Sequence, residues 1–93
     1  MAGSPGDPPT AAPGAEAGPV LYVRDGCHLC DDFLIALELD LGPAAAGVPV
    51  LDVDRDPDLA MRYGSRVPVL ASGGAVICEG RYDRARVLAA LQV

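Results

Sequence analysis

The most constraining feature of this chain is an abrupt change of pattern between residues 19 and 41. Pro19-Val20-Leu21-Tyr22-Val23 is a short apolar run rich in β-formers and reads as a buried strand. Arg24-Asp25-Gly26 breaks it. Cys30, Phe33, Leu34, Leu37 and Leu41 then follow at spacings of three, one, three and four, which is one face of an amphipathic helix. A strand that feeds a helix through so short a turn commits the chain to an α/β arrangement.

The remaining elements continue the alternation. Gly42 and Pro43 are expected to stop the helix, Gly as a left-handed cap and Pro just beyond it. Val48-Pro49-Val50-Leu51-Asp52-Val53 reads as a second strand, and its proline, which lacks a ladder donor, places that strand at a sheet edge. Asp56 caps a short helix that has Pro57 at its first position, runs to about Tyr63 and is closed by Gly64. Val67-Pro68-Val69-Leu70-Ala71, a Ser72-Gly73-Gly74 turn and Ala75-Val76-Ile77-Cys78 form a hairpin. Asp83 caps a last helix whose Val87, Leu88 and Leu91 face the core. The order is βαβαββα. A helical crossover makes the first two strands parallel, and the hairpin adds two antiparallel ones. With Pro49 at the edge, the spatial order is expected to be 2-1-3-4.

Residues 1–18 stand apart. Five Ala, four Gly and four Pro leave Met1 as the only sizeable apolar side chain, too little to offset the entropy of ordering the segment. We read 1–18 as a disordered tail without chemistry and 19–93 as one small domain. The 93 residues admit one domain at most. A net charge of −6, with seven Arg and no Lys, has the wrong sign for nucleic-acid backbones and for anionic membranes. With no Trp and one Phe there is no aromatic platform for single strands. No apolar run reaches the roughly 18 residues of a membrane span. Three cysteines, an odd number, do not make a disulfide framework, and the first residues do not form a signal peptide. A reducing, cytoplasmic setting is therefore expected, where a close cysteine pair is catalytic or metal-binding.

Cys27-His28-Leu29-Cys30 sits where the first strand gives way to the first helix. A thiol at a helix N-terminus faces unpaired backbone N–H groups and the positive end of the dipole, and both favour the nucleophilic thiolate. A second thiol three residues on lies one turn deeper on the same face and can resolve a mixed disulfide formed on the first. Cys27 is thus the expected nucleophile and Cys30 the resolving thiol. A helix dipole contributes roughly 0.3–1 kcal/mol against about 1.4 kcal/mol per pKa unit, so the Cys27 thiol is expected to be only moderately acidified. Arg24 and protonated His28 would add to that; Asp25, Asp31 and Asp32 would oppose it. The protein is accordingly expected to act mainly as a reductant. A structural zinc site wants about four ligands, commonly from two such pairs, and one pair with one His and Cys78 falls short. Asp52, Asp54, Asp56 and Asp58 alternate like the start of a calcium loop, but the sixth and twelfth positions are Pro57 and Tyr63, so no metal is expected. Cys78, in a strand, reads as a small buried hydrophobe.

Strand, Cys-x-x-Cys, helix, and a Val67-Pro68 opening a later strand together resemble the thioredoxin fold, and glutaredoxins in particular. The resemblance covers residues 19–92 and is closest to short glutaredoxin-like proteins with a Cys-x-Leu-Cys site. It implies a cis Val67–Pro68 bond beside the cysteines, with the Val67 backbone pairing with a bound cysteinyl peptide or glutathione. It also implies that Arg24 and Arg66 contact glutathione, and that Gly80 and Asp83 loosely match the turn that holds its other end. His28-Leu29 replaces the family's Pro-Tyr, and Glu79 would repel an anion in the groove. The expected activity is a thiol–disulfide oxidoreductase acting on protein or glutathione mixed disulfides, with no bound cofactor, glutathione as electron donor, and a monomeric state. The alternatives are a non-catalytic module that binds a partner through the same surface, and a dimeric iron–sulfur carrier, which the resolving Cys30 disfavours.

Overall fold

The computed structural model describes residues 18–91. The proposed 1–18 tail therefore lies outside the described residues except for Gly18. Four strands, β1 (Pro19–Val23), β2 (Val50–Asp52), β3 (Val69–Ser72) and β4 (Ala75–Glu79), form one sheet in the order β2-β1-β3-β4. Three α-helices, α1 (His28–Leu41), α2 (Pro57–Tyr63) and α3 (Arg84–Leu91), pack on it. The β1–β2 pair is parallel; β1–β3 and β3–β4 are antiparallel. This is a thioredoxin fold with the expected strand order.

Side-chain alternation along the strands divides the core between the two faces of the sheet. Leu21, Leu70 and Val87 join Phe33 and Leu37 of α1 in one cluster. Val20, Tyr22, Val69 and Ala71 pack with Val53 and Tyr63 in the other. Tyr63 stacks on Tyr22, their ring centroids 4.5 Å apart, so it serves the core beneath α2. Burying a side chain such as Phe33 or Leu37 stabilises a fold by about 1.5–3 kcal/mol, and these two anchor α1.

Three boundaries differ from the sequence reading. The second strand is shorter than 48–53: Pro49 stands outside it, with its carbonyl accepting from Leu21 N at 2.9 Å, while Val53 enters a 3₁₀ turn, Val53–Arg55. Gly42, at φ +60°, does end α1, but Pro43 does not end helical structure, because Gly42–Gly47 continues as a 3₁₀ segment. Pro is tolerated at a first helical position, where its missing N–H has no intrahelical partner. Val67 and Pro68 precede β3 rather than forming part of it. The hairpin also carries a bulge: Leu70 pairs with Cys78 and Ala71 with Val76. The extra residue breaks the two-residue alternation, and consecutive Ile77 and Cys78 both become buried in the α1 cluster.

Candidate functional site

Strand register assembles the site at one edge of the sheet. Val23 is opposite Asp52, Tyr22 opposite Val69, and Val69 opposite Glu79. The chain therefore leaves β1 toward Cys27, enters β3 from Pro68 and leaves β4 toward Gly80 at the same end.

Cys27 is the N-cap of α1, with extended backbone at φ −95°, ψ 108°. Its Sγ accepts a hydrogen bond from the Cys30 N–H at 3.0 Å. Sulfur thus takes the place a Ser or Asp oxygen fills at most helix starts and satisfies one otherwise orphaned donor. Cys27 and Cys30 are joined as a disulfide, their Cα atoms 5.2 Å apart. Cys27 is half-buried, whereas Cys30 is 3% exposed and belongs to the core. His28 and Leu29 lie on the exposed side of the first turn, with Leu29 48% exposed.

The Val67–Pro68 peptide is cis, as the resemblance implied, and Pro68 is buried. Gly80 donates its N–H to the Pro68 carbonyl at 2.8 Å, which ties the end of β4 to the cis-proline loop. Gly80 has φ +77°, a region glycine enters without steric cost. Asp83 accepts from the Arg86 N–H at 3.1 Å and so caps α3.

Both arginines singled out from the sequence are engaged within the chain. Arg24 grips Asp54 through two parallel bonds of 3.0 Å, from Nε and Nη2, and gives Nη1 to the Gly64 carbonyl at 2.9 Å. That arrangement fastens the turn before Cys27 to the end of α2. Gly64 leaves room for it: a Cβ there would meet Arg24 Nη2 at 2.9 Å and collide with the Ala60 carbonyl. The Asp54 bonds hold the Arg24 guanidinium in its charged form even more firmly than usual. Arg66 forms a forked pair with Glu79, with Nε to Oε2 at 3.0 Å, and lies over the Tyr63 ring. That pairing lowers the Glu79 carboxyl below its ordinary range. Glu79, expected to repel an anion from the groove, is thus matched by Arg66.

The sequence reading missed Asp54 and Gly64 as partners of Arg24. Asp54 looked like part of a solvated strand end, 30 residues away in sequence. The signal lay in the parallel β1–β2 pairing, which sets Val23 beside Asp52 and so brings the next residues of both strands together. A cleft of about 280 Å³ beside Cys30 is lined by Arg24, Asp25, Asp31 and Asp52 among others. Among the described residues no cluster of three or more His, Cys, Asp or Glu is placed to hold a metal ion. No helix among them is long and apolar enough to cross a membrane.

Comparison with known proteins places this geometry. Residues 20–92 match the model of the Glutaredoxin-like domain (DUF836) family. The chain belongs to this glutaredoxin-like family. An X-ray structure of the structural-genomics target protein XcR50 from X. campestris is similar to this glutaredoxin-like chain, at 32% identity and a TM-score of 0.61. The match covers 80% of the present chain and 95% of the other. No curated protein matches it.

Proposed function

We propose that this glutaredoxin-like protein is a thiol–disulfide oxidoreductase in which Cys27 attacks and Cys30 resolves. The observation that carries the reading is the bonded Cys27–Cys30 pair at the first turn of α1, with the outer sulfur capping the helix and the inner one buried.

In the reduced protein the Cys27 thiolate attacks one sulfur of a target disulfide. A Cys27–target bond forms, the target S–S bond breaks, and the departing thiolate takes a proton from solvent. Cys30, as thiolate, then attacks Cys27 Sγ. The internal disulfide forms, the second target thiol leaves, and two electrons have passed from the cysteine pair to the target. The Cys30 N–H that donates to Cys27 Sγ favours the Cys27 thiolate before attack. Val67, on the cis-proline loop, supplies backbone beside the attacked sulfur for a bound peptide. Targets are disulfide-bearing proteins or glutathione mixed disulfides. Recycling is by glutathione or by a reductase, and the protein works as a monomer in a reducing cytoplasm. No bound cofactor is needed.

The test is turnover of hydroxyethyl disulfide and insulin, with electrons from glutathione or from thioredoxin and its reductase. Wild type is expected to turn over; Cys27→Ser should be inert, and Cys30→Ser should accumulate a covalent adduct with the target. An equilibrium potential near about −200 to −230 mV would fit a glutaredoxin, and about −270 mV a thioredoxin. Wild-type protein inert toward every disulfide and reductant would overturn the reading and favour a partner-binding module.

A further inference from the structure

The charges around the cysteine pair are unbalanced, and they bear on the class of disulfide that approaches it. Arg24 has committed Nε, Nη1 and Nη2 to Asp54 and the Gly64 carbonyl. An incoming carboxylate would have to displace Asp54, and the displaced carboxylate would stay nearby. Arg66 is forked onto Glu79 in the same way. Arg24 and Arg66 are therefore both matched by carboxylates of the chain itself. The exposed carboxylates next to the two cysteines in the chain are Asp25 on the turn before Cys27, and Asp31 and Asp32 in the first turns of α1. None of the three forms an ion pair among the described residues. Asp25 and Asp31 line the cleft beside Cys30, together with Asp52. Arg81, next to Gly80, is an exposed cation without an ion pair among the described residues. In the charge count it is matched by Asp83, an exposed carboxylate two residues on, so the acidic excess stands.

Resting on the redox reading above, we propose that the site selects disulfides carrying positive charge. The natural target is a protein cystine flanked by lysine or arginine, and the glutathione disulfide, an anion, is disfavoured. Leu29, exposed beside Cys27, provides the apolar contact that such a protein segment would cover.

Charges within about 10 Å of the attacked sulfur act across solvent, so their effect depends strongly on salt. Reduced protein is mixed with cystamine (a dication), hydroxyethyl disulfide (neutral) and oxidised glutathione (an anion) at ionic strengths of about 10 mM and about 1 M, where the screening length falls from about 30 to 3 Å. The disulfides differ in intrinsic reactivity, so the quantity compared is the cystamine-to-glutathione rate ratio at the two salts. That ratio is expected to be higher at low salt by on the order of tenfold. In the Asp25→Asn/Asp31→Asn/Asp32→Asn variant most of that salt dependence should disappear, which separates the rim from the charge of the thiolate itself. Asp32→Asn alone, at an exposed position, should give a partial loss if the triple variant does not fold. A ratio indifferent to salt, or a salt dependence unchanged by removing the carboxylates, overturns the proposal. Failure to reduce even the neutral disulfide would instead overturn the redox reading, and this proposal with it.

Discussion

Cys78 shows how placement, not residue type, decides what a thiol does. It is 6% exposed, packed in the cluster beneath α1, and burial pushes its thiol up from the ordinary value. The Asp83 backbone N–H favours the thiolate but does not overcome burial. Its raised value means the folded protein retains a proton that the unfolded chain releases. Any contribution to stability is thus whole below the unfolded thiol pKa of about 8.5 and declines as pH rises above it. Cys27 differs in both respects, being partly exposed and accepting from a helix-start N–H. Mildly reduced native protein treated with iodoacetamide at neutral pH should therefore be labelled at Cys27 and spared at Cys78. Denaturant should then expose Cys78 to label. Native labelling of both at similar rates, read by mass spectrometry, would contradict the burial argument.

Each α-helix start is built from a local side-chain acceptor, which is why these elements were readable before their packing was. Asp56 is the plainest case: its Oδ1 accepts from the Asp58 N–H at 2.9 Å while Pro57 occupies the first helical position. Asp56→Ala removes that acceptor and is expected to lower stability by about 1 kcal/mol, measured as a shift in the urea midpoint at constant slope. A midpoint unmoved by the substitution would mean that α2 is held by Leu59 and Tyr63 packing alone. Local signals of this kind made β1, the extent of α2, the Gly73-Gly74 turn and the edge position of β2 legible. The 3₁₀ segment Gly42–Gly47 was not, because Gly-Pro-Ala-Ala-Ala-Gly has no apolar period to betray it. The bulge between Leu70 and Ala71 was equally hidden, since it concerns pairing and leaves no mark on composition. At the site the cysteines and the cis-proline were legible, one from spacing and the other from family resemblance. The engagement of Arg24 and Arg66 was not: each partner is distant in sequence, and only the sheet register brings them together.

Across the whole molecule, a polar clasp closes the end of α1 remote from the cysteines. Tyr82 donates its hydroxyl to Asp40 at 2.8 Å, Arg84 donates Nε to the same carboxylate at 3.0 Å, and the Tyr82 ring meets Phe33 edge-on, centroids 5.0 Å apart. The clasp joins the last turn of α1 to the start of α3 across the α1-side core. The Tyr82 hydrogen bond first, and Arg84 second, hold the Asp40 carboxyl below its ordinary 3.8. Burial and Asp40 together push the Tyr82 phenol well above its ordinary value, so it remains a donor at every pH of interest. A carboxyl lowered by folding contributes stability that is whole above the unfolded pKa and is lost as pH falls through the folded one. The net charge of −6 also fades on acidification, relieving repulsion across the chain and obscuring a simple pH scan. Comparing wild type with Asp40→Asn at each pH removes most of that shared background. The variant should be less stable at pH 7, and the gap between the two urea curves should close as pH drops below about 4. An equal gap at pH 7 and in acid would show that the amide costs packing rather than charge, and that the carboxylate is not what holds the clasp.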